Sequence, residues 1–323
     1  MSSGSASASR RAGAGWSRTW PPWPIRRRRS SAAATGSASC STTCASRGSI
    51  PSSADGGGRS RPRSSGCAGT GPATPEPAAP PVPDPPSIHK TLDPEDLRRE
   101  PARSQAVRLR RFLRRLFLRF QPVAVNGVLR RRLRLRPPKL WEYACGLAHA
   151  EAERAREVLD FGGGATLPAY WLAARGARVR VFDIDRRLTA ATVAAARRFG
   201  WRLEASDRDL TRCDLGLEAG LDLVTSFCVI EHLDRGAQRA ALRRLAAALR
   251  PGGRLALSFE YGAEAPGEGA LRDPGEVADL VDHLGLDWVG RAGFEDDGRR
   301  FLLDRRHPDR RFTFGLLVLE RPA

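Results

Sequence analysis

The 323-residue chain is strongly basic, with 54 Lys and Arg against 36 Asp and Glu. Residues 1–140 hold 27 Lys and Arg against 7 Asp and Glu, a net of +20, which leaves −2 for 141–323; so neutral a second half argues against a dedicated nucleic-acid enzyme, whose positive face usually sits on the fold itself. No apolar run approaches the ~20 residues that cross a bilayer. The six cysteines (40, 44, 67, 145, 213 and 228) contain no C-x2-C pair, which argues for a reducing compartment and against any metal site.

Residues 1–100 read as a disordered, low-complexity region. Ser, Ala, Gly, Pro and Arg dominate, without the apolar periodicity that could offset the entropy of ordering. No acid precedes Asp55, and Arg26–Arg29 follow Trp20 and Trp23. The expectation is an unstructured extension, or a wrongly chosen start, on a cytoplasmic protein; an organelle transit peptide is the alternative. Arg10 and Arg11 lack the apolar stretch of a twin-arginine signal.

Residues 101–138 read as a basic amphipathic helix and a linker. Leu109, Phe112, Leu113, Leu116, Phe117 and Phe120 recur at steps of three and four, interleaved with Arg108, Arg111, Arg114, Arg115 and Arg119. Docking on the chain's own domain is favoured. The alternatives for 104–120 are a peripheral contact with an anionic membrane surface or an acidic partner, with nucleic acid behind these.

From residue 139 to 323 short apolar strands alternate with helices. A helix over Leu140–Arg156 precedes the strand Val158–Phe161 and the helix Pro168–Arg175. Strand Val179–Asp183, helix Arg187–Phe199 and strands Leu203–Ser206 and Asp222–Phe227 follow. After these come helix Gln238–Leu249, strand Arg254–Phe259, a helix through Val277–Leu284 ended by Gly285, and strand-like stretches Leu286–Gly290 and Phe312–Glu320, with Arg305–Arg311 as a polar loop. Such alternation predicts an α/β, doubly wound, mostly parallel sheet with its ligand crevice at the carboxyl ends of the strands.

The motifs fall at those ends. Gly162, Gly163 and Gly164 follow the first strand, where the absence of side chains lets a ligand approach the backbone. Asp183, 21 residues after Gly162, could accept ribose hydroxyls. An NAD-dependent oxidoreductase would share both features. However, Asp160 would set an acid against a pyrophosphate, Leu167 replaces the third glycine of G-x-G-x-x-G, and no Lys follows the loop as in a phosphate-binding P-loop.

Asp160-Phe161-Gly162-Gly163-Gly164 resembles the first motif of class I S-adenosylmethionine-dependent methyltransferases, with Thr166 where many members carry a further Gly. Val181–Asp185 resembles the ribose-binding strand end, Asp183 favoured over Asp185. Asp209-Leu210-Thr211 resembles the adenine position, with Asp207 leaving the register open by two. Leu221–Leu233, ending in Glu231-His232, resembles the fourth-strand motif, and Leu249–Leu255 the turn into the fifth strand. The resemblance spans about 180 residues and implies a seven-stranded sheet with a reversed C-terminal hairpin, and a covering helix at Leu140–Tyr143.

It also implies S-adenosyl-L-methionine as cofactor. Asp160, Gly162, Gly163 and Gly164 would meet the methionine part, Asp183 the ribose and Asp209 the adenine, with Phe227 or Cys228 lining the site. For an acceptor that must lose a proton, His232, Glu260 and Tyr261 are the candidate bases, as strand-end residues expected to face one crevice; Glu231 is read as a helix-start residue. No N-P-P-Y-like tetrad follows the fourth strand, so a small-molecule acceptor is expected. The rival readings are the oxidoreductase and a non-catalytic S-adenosylmethionine-binding module.

Overall fold

The computed structural model describes residues 87–119, 135–211, 219–304 and 308–323. The expectations for residues 1–86, including Cys40, Cys44 and Cys67, lie outside the described residues, as do those for Phe120 and the linker behind it, Cys213, and Arg305–His307.

Strands β1 (Lys90–Thr91), β2 (Glu157–Phe161), β3 (Arg178–Phe182), β4 (Leu203–Ser206), β5 (Leu221–Phe227), β6 (Leu249–Tyr261), β7 (Asp287–Trp288) and β8 (Thr313–Glu320) form one sheet. Its order is β1-β8-β6-β5-β2-β3-β4, with β7 also on β8. The pairs among β2 to β6 are parallel, whereas β8 is antiparallel to β6, β1 and β7, so β8 alone runs against the rest. The sheet is doubly wound and mostly parallel, with the C-terminal strand reversed.

Helices α1 (Ala102–Arg119), α2 (Pro137–His149), α3 (Leu167–Ala174), α4 (Arg186–Phe199), α5 (Arg235–Ala248) and α6 (Pro274–Asp282) cover it. Their starts are written in the sequence: the side chains of Thr166, Asp185, Asp234 and Asp273 accept the first free N–H groups of α3, α4, α5 and α6. Strand alternation divides the core. Val158, Leu223, Ala256 and Val318 pack beneath residues of α1, α2 and α3. Leu159, Val224, Leu255, Leu257 and Leu317 pack against α5 and α6. No helix among the described residues is long and apolar enough to cross a membrane.

The folded region begins before residue 139. Lys90 and Thr91 pair with Leu316 and Gly315, adding an eighth strand to the expected seven. His89 is fully buried: its Nε2 lies 3.0 Å from the Val289 carbonyl, and Nδ1 accepts the Val318 N–H at 3.3 Å. Asp96 receives the Trp141 indole N–H at 3.0 Å and the Lys90 ammonium at 2.9 Å. Helix α1 buries Ala102, Ala106, Leu109, Leu113 and Leu116 in the core beneath α2 and α3. These residues of its apolar stripe dock on the chain's own domain, while Arg111, Arg114, Arg115 and Leu118 face outward.

Candidate functional site

The loop after β2 is shaped by groups that leave no space for a side chain. Gly162 has φ +69°, and a Cβ there would lie 2.4 Å from Val229 Cγ2. A Cβ on Gly163 would lie 2.0 Å from Asp160 Oδ2, and one on Gly164 2.7 Å from Asp183 Oδ2. The two acids therefore flank consecutive glycines of one loop. Register agrees: Asp160 pairs with Val181, so Asp183, two residues on, shares its sheet face.

Both carboxylates are buried and held in place. Asp160 Oδ1 accepts the Thr225 hydroxyl at 2.8 Å and Oδ2 that of Thr166 at 2.9 Å, tying β2 to β5 and to the start of α3. Asp183 accepts the backbone N–H of Gly164 at 3.0 Å and of Asp185 at 2.9 Å. A carboxylate offers about four lone-pair directions, so Asp183, with two of them taken, retains capacity for a ligand. Ala165 and Cys228, at the two loops entering the crevice, adopt φ +53° and +56° without being glycine, a strain that the surrounding packing must hold. Past β4, Asp209 Oδ1 accepts the Thr211 N–H at 2.9 Å and hydroxyl at 2.6 Å. Asp207 is exposed and paired with Arg186 at 2.8 Å.

The ends of β5 and β6 meet helix α2. Phe227 packs its ring 5.3 Å from Tyr143 and fills the space a Cβ on Gly146 would need, so it faces α2. The Cys228 thiol donates to Glu142 Oε2 at 2.9 Å; burial first, then the Glu142 charge, raises its pKa, so it is a neutral thiol. The same oxygen accepts from Ser258 Oγ at 2.7 Å and Lys139 Nζ at 3.0 Å. Glu260, two residues beyond Ser258, shares that face of β6.

Of the three expected bases, only Glu260 reaches this crevice. Tyr261 points to the opposite face, among Phe259 and Phe294, and donates its hydroxyl to Asp296 at 3.2 Å. His232 is exposed at the end of the short 3-10 turn Ile230–His232. Its neighbour Glu231, read as a helix-start residue, stands in the first turn of that 3-10 helix and is 1% exposed. A 3-10 turn places successive side chains about 120° apart, so the acid points inward and the imidazole outward. Burial raises the pKa of both Glu231 and Glu260; the Glu260 charge raises Glu231 further, while a backbone hydrogen bond from Gly267 works against the rise at Glu260. The available signal for this cluster was Lys139 and Glu142, three apart on an otherwise apolar helix.

Residues 158–253 match the family model described as a methyltransferase domain. The chain is 45% identical over 62 residues to ribosomal RNA small subunit methyltransferase B of Thermus thermophilus, covering 19% of this chain and 16% of that protein; it thus spans less than a fifth of that curated relative. Among solved structures, a TehB-like methyltransferase from Corynebacterium glutamicum is 21% identical, with a TM-score of 0.40 over 54% of this chain and 86% of that one. The 1,6-didemethyltoxoflavin-N1-methyltransferase of Burkholderia thailandensis is 19% identical, with a TM-score of 0.43 over 75% and 94%. The matched stretch holds the glycine loop and both of its flanking acids. The chain carries a methyltransferase domain over residues 158–253.

Proposed function

We propose that this chain transfers a methyl group from S-adenosyl-L-methionine to a small-molecule acceptor. The observation that carries this reading is the pair of buried acids, Asp160 and Asp183, on one face of the sheet and on either side of a glycine loop that no side chain could replace. A dinucleotide would bring its pyrophosphate against Asp160, a repulsive contact; an amino-acid ammonium group is attracted there.

The residues present fit this cofactor. Gly162, Gly163 and Gly164 would admit the methionine part, with Asp160 near its ammonium group, Asp183 at the ribose and Asp209 at the adenine. The cofactor supplies a methyl already activated by the sulfonium charge. The chain's contribution is alignment and exclusion of water: the β2 loop, the Val229 side chain over Gly162 and helix α2 enclose the carboxyl ends of β2, β5 and β6. Glu260 is the group positioned there to take a proton from an acceptor.

Isothermal titration with S-adenosylhomocysteine tests the assignment. Asp183→Ala should weaken binding at least about tenfold, the equivalent of one charge-assisted hydrogen bond; unchanged binding removes Asp183 from the ribose. Mass spectrometry of the purified protein for a retained nucleoside, and a radiolabelled-methyl screen of cell extract, address the acceptor.

A further inference from the structure

Helix α1 presents two faces of different character. Ala102, Ala106, Leu109, Leu113 and Leu116 dock in the core. At about 100° per residue, the ridge on the opposite side runs through Val107, Arg111, Arg114 and Leu118. Every exposed residue from Ala102 to Leu118 is Arg, Val or Leu. Arg108 is paired with Glu153 at 2.5 Å. Arg103, Arg110, Arg111, Arg114 and Arg115 have no acidic partner among the described residues. The surrounding sequence offers none: between Glu100 and Glu142 stand twelve Arg and one Lys, and no Asp or Glu.

A helix that needs only to keep its outer side wet is served by mixed charges, which attract at i, i+4. Here Arg110 and Arg114, and likewise Arg111 and Arg115, repel at that spacing. A surface dense in negative charge offsets such repulsion. The apolar members of the ridge say which kind of surface. Val107 is 38% and Leu118 83% exposed, at its two ends. Aliphatic side chains gain nothing from a phosphodiester backbone, and no exposed aromatic or amide group from Ala102 to Leu118 could stack on a base or read its edge. At a lipid surface both residue types have a place: guanidinium heads at the phosphates, their methylene stems and Leu118 at the acyl boundary.

We propose that α1 docks the chain on an anionic lipid surface through its outward arginine face. The contact is electrostatic in the main, because the larger apolar stripe of the helix is used within the domain. Leu118 adds a shallow apolar anchor. Such docking requires nothing of the methyl-transfer reaction.

The test is co-sedimentation of the full chain with vesicles of equal parts phosphatidylcholine and phosphatidylserine, and with vesicles of phosphatidylcholine alone. Wild type should bind the mixed vesicles at least about tenfold more tightly, as expected for several arginines at an anionic surface. Arg114→Gln should weaken that binding roughly fivefold, and Arg110→Gln/Arg111→Gln/Arg114→Gln/Arg115→Gln about a hundredfold or more. Leu118→Gln should weaken it about tenfold through the lost apolar contact, while leaving binding to a single-stranded RNA oligonucleotide unchanged. These side chains are all exposed, so the melting temperature and the affinity for S-adenosylhomocysteine should hold in each variant. Equal binding to the two vesicle types, or full retention by the quadruple variant, overturns the proposal. So does a Leu118→Gln chain that binds vesicles as well as wild type, or a quadruple variant that loses affinity for the RNA but not for the vesicles.

Discussion

Asp160→Asn separates two roles for the acid beside the glycine loop: holding the loop, and meeting an amino-acid ammonium group. The amide keeps the size of the side chain but replaces one acceptor oxygen with an NH2 group. The Thr166 hydroxyl at 2.9 Å or that of Thr225 at 2.8 Å must then rotate to accept. Hydrogen bonds to a charged group contribute about 1.5–3 kcal/mol and neutral ones about 0.5–1.5. The structural cost is therefore about 1–2 kcal/mol, readable by urea unfolding. If an ammonium group also pairs with Asp160, S-adenosylhomocysteine should lose about 1.5–3 kcal/mol of affinity, or about 10–150-fold. Titration with 5′-methylthioadenosine, which lacks the amino-acid head, provides the control and should change little. Equal losses for both ligands would mean that Asp160 acts only by shaping the loop. Full retention of S-adenosylhomocysteine affinity would refute the pairing outright.

Tyr261→Phe should leave methyl transfer and S-adenosylhomocysteine binding unchanged while costing about 1 kcal/mol of stability, because its hydroxyl bonds Asp296 on the face away from the crevice; a large fall in kcat would return Tyr261 to the site. Burial pulls the His89 pKa from 6.5 down to about 4, against a weaker opposing effect of the Val289 carbonyl. The unfolded chain binds this proton below about pH 6.5 and the fold resists until about 4, so stability should fall with pH across that window, by about 2 kcal/mol at pH 5. Urea melts of wild type and His89→Gln should converge as pH drops, and parallel curves would contradict this. Leu113→Ala, at a docked position of α1, should cost about 2–5 kcal/mol, whereas the outward Arg114→Ala should stay within about 0.5; comparable unfolding midpoints would show that α1 is not docked.

The strands β2 to β6, the caps of α3 to α6 and the glycine loop were legible in the sequence because each depends on local chemistry. Alternation of apolar residues, a capping oxygen ahead of free N–H groups and a bend that excludes Cβ all lie within a few residues. Asp160 and Asp183 were legible as a pair because a parallel crossover returns the chain to the neighbouring strand at a nearly constant spacing.

What the tertiary structure alone decided is where long-range partners meet. Two residues, Lys90 and Thr91, carry no periodic signal of their own; they become a strand because β8, more than two hundred residues away, offers a free edge. Glu142, Glu231 and Glu260 come from a helix, a 3-10 turn and a strand end, and no spacing in the chain marks them as neighbours. Glu260 and Tyr261 are adjacent in sequence, yet the pleat sends one into the crevice and the other to the opposite face. Burial and the direction of a side chain depend on which surfaces meet, and that information is absent from any single segment.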